Sequence, residues 1–131
     1  MKAVILAAGQ GTRLNKYTKG LPKGMLSFMG KTVIGRQIEL YRSCGIDDII
    51  IVRGYERDKI KYEGIKYYDN VRYADTNMVE SLMPAEEEFD TDIIISYSDI
   101  IFEKSLLKKM IQAAGDYAVA VDDNWKYYWQ N

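Results

Sequence analysis

A chain of 131 residues, 47% of them hydrophobic, is long enough for one domain with a buried core. Its 18 basic and 19 acidic side chains leave a net charge of −1, which gives no general attraction for a polyanion and excludes nucleic acid as an expected partner. A single cysteine, Cys44, and no histidine exclude an internal disulfide and a multi-cysteine zinc site. No apolar run reaches membrane-spanning length, and Met1-Lys2-Ala3 enters the first strand without a signal-peptide layout, so the expected address is cytoplasmic with no membrane partner.

The first predicted element is Ala3-Val4-Ile5-Leu6-Ala7-Ala8, an apolar run without alternation. Such a run reads as a strand covered on both faces, as in a parallel α/β sheet. Gly9-Gln10-Gly11-Thr12-Arg13 follows at its carboxyl end. Two glycines let backbone N–H groups approach an anion, and Arg13 adds a planar cationic fork suited to phosphate oxygens. The dinucleotide fingerprint fails because Leu14 stands where a third glycine is needed. Gly24 to Gly30-Lys31-Thr32 has five residues between its glycines where a P-loop has four, and reads instead as a turn before a helix.

That helix places Ile34, Ile38 and Tyr41 on one face, with Thr32 to cap it and Gly45 to end it. Strands are predicted at Asp48-Ile49-Ile50-Ile51-Val52 and, shorter, at Lys66-Tyr67-Tyr68. Between Asn77 and Phe89, Pro84 breaks a helical pattern and predicts a kink. Asp92-Ile93-Ile94-Ile95-Ser96 is the next strand, with Asp99 beyond it. Leu106, Leu107, Met110, Ile111 and Ala114 form an apolar helical stripe started by Ser105 and stopped by Gly115. A last strand is expected at Tyr117-Ala118-Val119-Ala120-Val121, leading to Asp122. The alternation predicts an α/β, Rossmann-like, doubly wound and mostly parallel sheet with helices on both faces and a crevice beyond the strands' carboxyl ends. A receiver domain is excluded because Ala7-Ala8-Gly9 lacks the acidic pair it needs after its first strand.

Leu6-Ala7-Ala8-Gly9-Gln10-Gly11-Thr12-Arg13-Leu14 followed by Pro22-Lys23 resembles the signature of nucleotidyltransferases that couple a nucleoside triphosphate to a sugar phosphate or an alcohol phosphate. The resemblance implies that Ala7, Ala8, Gly9, Gly11 and Thr12 hold the nucleotide while Arg13 and Lys23 contact phosphates. It also implies that Asp99, in Tyr97-Ser98-Asp99, ligates Mg²⁺, a metal that needs only one or two carboxylates beside phosphate oxygens and water. Tyr73-Ala74-Asp75-Thr76-Asn77-Met78-Val79-Glu80-Ser81-Leu82 looks like the corresponding segment of cytidylyltransferases acting on phosphocholine, phosphonates and related small phosphates. Asn77 and Ser81, four apart, are then candidates for the cytosine edge, the other reading being an asparagine N-cap with Ser81 facing solvent.

Asp122-Asp123-Asn124-Trp125 resembles the segment that faces the acceptor's head group in those enzymes, and a tryptophan face attracts an ammonium, so Asp122 and Trp125 are the acceptor candidates. Tyr127, Tyr128 and Trp129 read instead as packing residues for absent polypeptide, and Trp125 and Trp129 as a surface for self-association. Members of the family run well beyond this length, so residues 1–131 are expected to be the nucleotide-binding part of a single domain, with much of the acceptor pocket and a second metal-binding aspartate elsewhere. The implied reaction is transfer of CMP from CTP to a small phosphate or phosphonate, with release of pyrophosphate. A sugar-1-phosphate nucleotidyltransferase and a non-catalytic nucleotide-binding module are the alternatives.

Overall fold

The computed structural model describes residues 1–12, 16–18 and 20–130. The chain forms two compact units, Met1–Ile101 and Phe102–Asn131. The first carries the sheet. Its strands are β1 (Lys2–Ala7), a two-residue hairpin β2 (Ser27–Phe28) and β3 (Lys31–Thr32), then β4 (Ile49–Arg53), β5 (Lys66–Asp69) and β6 (Ile93–Tyr97). Helix α1 (Val33–Ser43) precedes β4, and α2 (Met78–Leu82) followed by a 3₁₀ segment (Met83–Glu88) precedes β6.

The main sheet has the order β5-β4-β1-β6, and each neighbouring pair is parallel. The chain therefore runs outward from β1 through β4 to β5, then returns to the other side of β1 for β6. That reversal puts a topological switch point between the carboxyl ends of β1 and β6, where doubly wound sheets bind ligands. Ala3, Val4 and Ile5 are fully buried, as are Ile50, Ile51 and Val52, which explains why these strands show no alternation in sequence. Val4, Ile50 and Val52 pack on Ala85, with Leu82 and Tyr68 against them, so α2 and its 3₁₀ extension cover one face. The other face carries Ile5 and its register partner Ser96, whose hydroxyl bonds Gln37 of α1 and so fixes α1 there.

Local signals explain the ends of these elements. Thr32 Oγ1 accepts from Gly35 N at 3.1 Å and caps α1, whose last turn is closed by Gly45 N donating to Arg42 O. Pro84 lies in the 3₁₀ segment next to Ala85, whose non-helical backbone is the kink expected there. At the amino end of the sheet, Glu88 accepts from Lys2 at 2.9 Å, from Tyr68 at 2.6 Å and from Lys66, and Lys2 also bonds Asp90 at 2.6 Å. The Lys66, Tyr68 and Lys2 bonds hold the Glu88 carboxyl down at about 2. Tyr68, bonded to Glu87 and Glu88, is pushed up to about 12.

The second unit contains α3 (Lys104–Gln112) and α4 (Trp125–Trp129). Three expectations change here. Tyr117–Val121 is not a strand: its Tyr117, Val119 and Val121 are exposed, and a β-prone run becomes a strand only when a neighbour accepts its ladder. Helix α3 begins after Glu103, so Ser105 lies inside it, bonding the Glu103 carboxylate rather than capping. The helix ends at Gln112, before Gly115. Among the described residues, no helix is long and apolar enough to cross a membrane.

Candidate functional site

The switch point is assembled by backbone bonds that leave β1 on both sides. Leu6 O accepts from Ser98 N at 3.0 Å, and Ala8 O accepts from Tyr55 N at 3.0 Å. Ala7 and Ala8 are buried, while Gly9 and Gln10 are exposed beyond them. Gly11 has φ +64°, and a β-carbon on it would lie 2.7 Å from Lys23 Cγ and 2.8 Å from Lys23 Cε. Only glycine meets both conditions. The lysine's methylene chain thus lies directly against the glycine-rich loop.

Lys23 opens a 3₁₀ turn, Lys23–Met25, after the fully buried Pro22. Gly24 is wedged so closely that a β-carbon there would fall 2.6 Å from Ile34 Cδ1 of α1 and 2.8 Å from Ser98 Cβ. This close approach brings Lys23 beside the residue after Ser98. Lys23 Nζ meets Asp99 Oδ2 at 3.3 Å, with the lysine side chain 20% and the aspartate side chain 45% exposed. Tyr62 braces the same turn, its hydroxyl bonding Met25 Sδ at 3.3 Å and Thr32 Oγ1 at 2.5 Å. Burial pushes the Tyr62 phenol up, against the opposing pull of the Thr32 bond.

Of the residues singled out in the sequence, the fold brings Gly11, Lys23 and Asp99 into contact, with Ala7, Ala8 and Gly9 leading into them and Thr12 exposed beside Gly11. Arg13 lies outside the described residues. Asn77 and Ser81 do not share an exposed face. Asn77 is the N-cap of α2 in a full capping box: its Oδ1 accepts from Glu80 N at 3.0 Å, and its own N donates to Glu80 Oε2 at 3.1 Å. Ser81 is buried and accepts from Asn70 Nδ2 at 2.9 Å, with Asn70 also donating to Thr76 at 2.7 Å. Asp122 and Trp125 belong to the second unit, where Asp122 Oδ1 accepts from Asn124 N at 2.9 Å. The Lys126 ammonium sits 5.7 Å from the centre of the Trp125 ring, on the kind of surface expected to receive an acceptor's ammonium.

One residue that matters here escapes a sequence reading. Gln37 is buried, its Nε2 donating to Tyr97 O at 2.8 Å and Ile100 O at 2.7 Å, and its Oε1 accepting from Ser96 Oγ at 3.0 Å. The available signal is its position three after Ile34 and four before Tyr41, on the apolar face of α1.

Comparison with known proteins places the fold and the family. The chain is 37% identical over 140 residues to the CTP:phosphoglutamine cytidylyltransferase of Campylobacter jejuni, covering 98% of this chain and 55% of that one. It is 38% identical over 107 residues to the choline-phosphate cytidylyltransferase of Streptococcus pneumoniae, covering 79% and 47%. The solved structure of the CTP:phosphocholine cytidylyltransferase from the same species superposes with a TM-score of 0.71 over 75% of this chain and 44% of that one, at 38% identity. A UTP–glucose-1-phosphate uridylyltransferase of Haloferax volcanii is 29% identical, covering 94% and 54%. The chain spans about half the length of these relatives. Residues 3–129 match the MobA-like NTP transferase domain, and the chain belongs to that family.

Proposed function

We propose that the whole protein is a cytidylyltransferase that moves CMP from CTP to a small phosphate or phosphonate bearing an amine or similar head group, with release of pyrophosphate. The observation that supports this best is the Lys23–Asp99 pair laid against Gly11 at the switch point. A glycine-containing backbone loop, a cation and a carboxylate converge there, which is the inventory a metal-bound triphosphate requires.

In this reading the N–H groups from Ala8 to Thr12 take the triphosphate, Arg13 and Lys23 neutralise its oxygens, and Asp99 offers one carboxylate to a metal. Among the described residues, no cluster of three or more His, Cys, Asp or Glu side chains is placed to hold an ion by itself. A single carboxylate fits Mg²⁺ that arrives with a triphosphate, because phosphate oxygens and water complete its shell. Such an ion, when bound, supplies charge neutralisation on the triphosphate. An acceptor oxygen forms a bond to the α-phosphorus in line with the departing β-phosphate; the α–β bridging P–O bond breaks and its electron pair leaves with pyrophosphate. The acceptor needs no base, since a phosphomonoester with a second pKa of roughly 6 is already mostly dianionic at neutral pH. A chain without histidine suits that chemistry.

Asn77, whose Oδ1 is held by the cap, offers its amide nitrogen to the base, while Ser81 acts through Asn70 in holding the start of α2. Asp122 and Trp125 are assigned to the acceptor's head group. The test is pyrophosphate release by the whole protein with each of the four nucleoside triphosphates against phosphocholine, an aminoalkylphosphonate and glucose 1-phosphate. CTP with an amine-bearing acceptor is the expected pair. The likeness to the Haloferax uridylyltransferase favours a second reading, and turnover confined to UTP and glucose 1-phosphate would establish it in place of the first. CTP binding without turnover for any acceptor would support a nucleotide-binding module instead.

A further inference from the structure

We propose that Gln37 is a positioning residue: its carboxamide clamps the Tyr97–Ile100 turn and thereby sets the direction in which Asp99 presents its carboxylate. The proposal rests on the reading of Asp99 as the carboxylate that meets the nucleotide's metal, and adds to it the residue that aims it.

The turn cannot hold itself. Its own closing bond, Ile100 N to Tyr97 O, is 3.5 Å long, at the limit of what counts as a hydrogen bond. Upstream it is anchored by Ser98 N on Leu6 O at 3.0 Å. Asp99 follows that anchor with its side chain half exposed, and among the described residues no backbone–backbone hydrogen bond engages it. Gln37 supplies the missing restraint from beneath. A primary amide has two N–H donors on one nitrogen, and here both are used on carbonyls that bracket Ser98 and Asp99, at 2.8 Å to Tyr97 and 2.7 Å to Ile100. The orientation of that amide is set in turn by Ser96 Oγ on its Oε1 at 3.0 Å. No other residue type of this size provides two donors and one acceptor in that arrangement.

Packing alone does not call for glutamine at this position. Its neighbours on the same face of α1 are Val33, Ile34, Ile38 and Tyr41, all buried, and an aliphatic side chain would fill the space without the cost of desolvating an amide. What glutamine adds is the pair of carbonyl contacts, and their one common effect is to hold the segment that carries Asp99. In consequence α1, whose first turn also packs Ile34 on Gly24, fixes both partners of the Lys23–Asp99 pair.

The experiment compares wild type with Gln37→Met, which keeps the volume and removes all three bonds, and with Ser96→Ala, which removes the bond that orients the amide together with the contact of Ser96 with the Tyr41 hydroxyl. Amide hydrogen exchange across 98–101 is measured alongside calorimetric binding of CTP with and without Mg²⁺. In Gln37→Met the turn amides should exchange at least about tenfold faster with β1 and β4 unchanged; Mg²⁺-dependent CTP affinity should fall about tenfold while metal-free CTP affinity stays within about twofold. Ser96→Ala should show the same pattern at about threefold, and it carries the test if the methionine variant does not fold. Turn amides that exchange at the wild-type rate would overturn the clamp. Equal loss of CTP affinity with and without the metal would show general loosening and would overturn it too. If wild type takes up no CTP while the variants still loosen the turn, the clamp stands and the nucleotide reading of Asp99 falls.

Discussion

The two ends of the same parallel sheet use charge in opposite ways. At the amino end, Glu88 is buried and bonded by Lys2, Lys66 and Tyr68, with Asp90 taking a second share of Lys2. These charges satisfy one another, and the carboxyl responds by titrating far below its usual range. At the carboxyl end the glycine loop is exposed, and Lys23 and Asp99 meet at 3.3 Å across a surface open to solvent. A cluster paired around one buried carboxylate staples strands, whereas the more open Lys23–Asp99 pair retains the capacity to exchange its partner for a ligand's phosphate or metal.

That contrast is broken most directly at the carboxyl end. Lys23→Ala should slow pyrophosphate release by about 10²–10³-fold, the range for loss of one donor aimed at charge that develops in the transition state, without changing the far-ultraviolet circular dichroism. A near-wild-type rate would remove Lys23 from the mechanism. Arg13→Ala should likewise abolish turnover in a folded protein. Next in size is Gly24→Ala, whose new methyl would press on Ile34 and on Ser98 Cβ at 2.8 Å; overpacking of this kind costs about 1–3 kcal/mol and would part Lys23 from Asp99. The melting temperature and CTP affinity should fall together, and a drop in neither would mean that the wedge is slack.

The amino end should answer differently. Glu88→Gln is expected to lower the melting temperature at neutral pH while leaving CTP affinity intact. Because the folded carboxyl is depressed from 4.5 to about 2, its contribution is complete above 4.5 and is lost as pH falls through about 2. The variant and wild type should therefore converge in stability across that acid interval, and a constant gap would separate Glu88 from the effect. The smallest change is expected for Lys31→Ala, which removes an exposed pair with Glu39 at 2.7 Å; such surface pairs contribute only ~0.2–1 kcal/mol. Chemical denaturation that found more would mean that exposed charge is not as inert here as the comparison holds.

The sheet was readable because burial on both faces leaves an unbroken apolar run, as in Ala3-Val4-Ile5 and Ile49-Ile50-Ile51-Val52. Thr32 and Pro84 were readable for local reasons, a hydroxyl before a helical pattern and a missing N–H within one. Tyr117–Val121 misled because its β-propensity reports a fit to a pleated surface that the described structure does not provide. The loop and Asp99 were visible as residue types at the ends of strands and Lys23 through the Pro22-Lys23 resemblance, but their contact depends on Gly24 wedging under Ile34, which no spacing encodes. Ser81 went astray and Gln37 passed unnoticed for a related reason. Four residues along a helix fixes relative angle, not which angle faces inward, and a glutamine among apolar neighbours shows no role until the carbonyls it serves are known.

Gly11 and Lys23 carry a thermodynamic consequence of their own. With the Cγ and Cε of the lysine 2.7 and 2.8 Å from the place a β-carbon would take, its long side chain is already restricted by the loop before any nucleotide arrives. Ordering such a side chain at the moment of association ordinarily subtracts about 0.5–1.5 kcal/mol from affinity. Here that entropy loss belongs to folding, so the ammonium greets its anion already aimed, and a substituent at position 11 would weaken binding without touching the ligand.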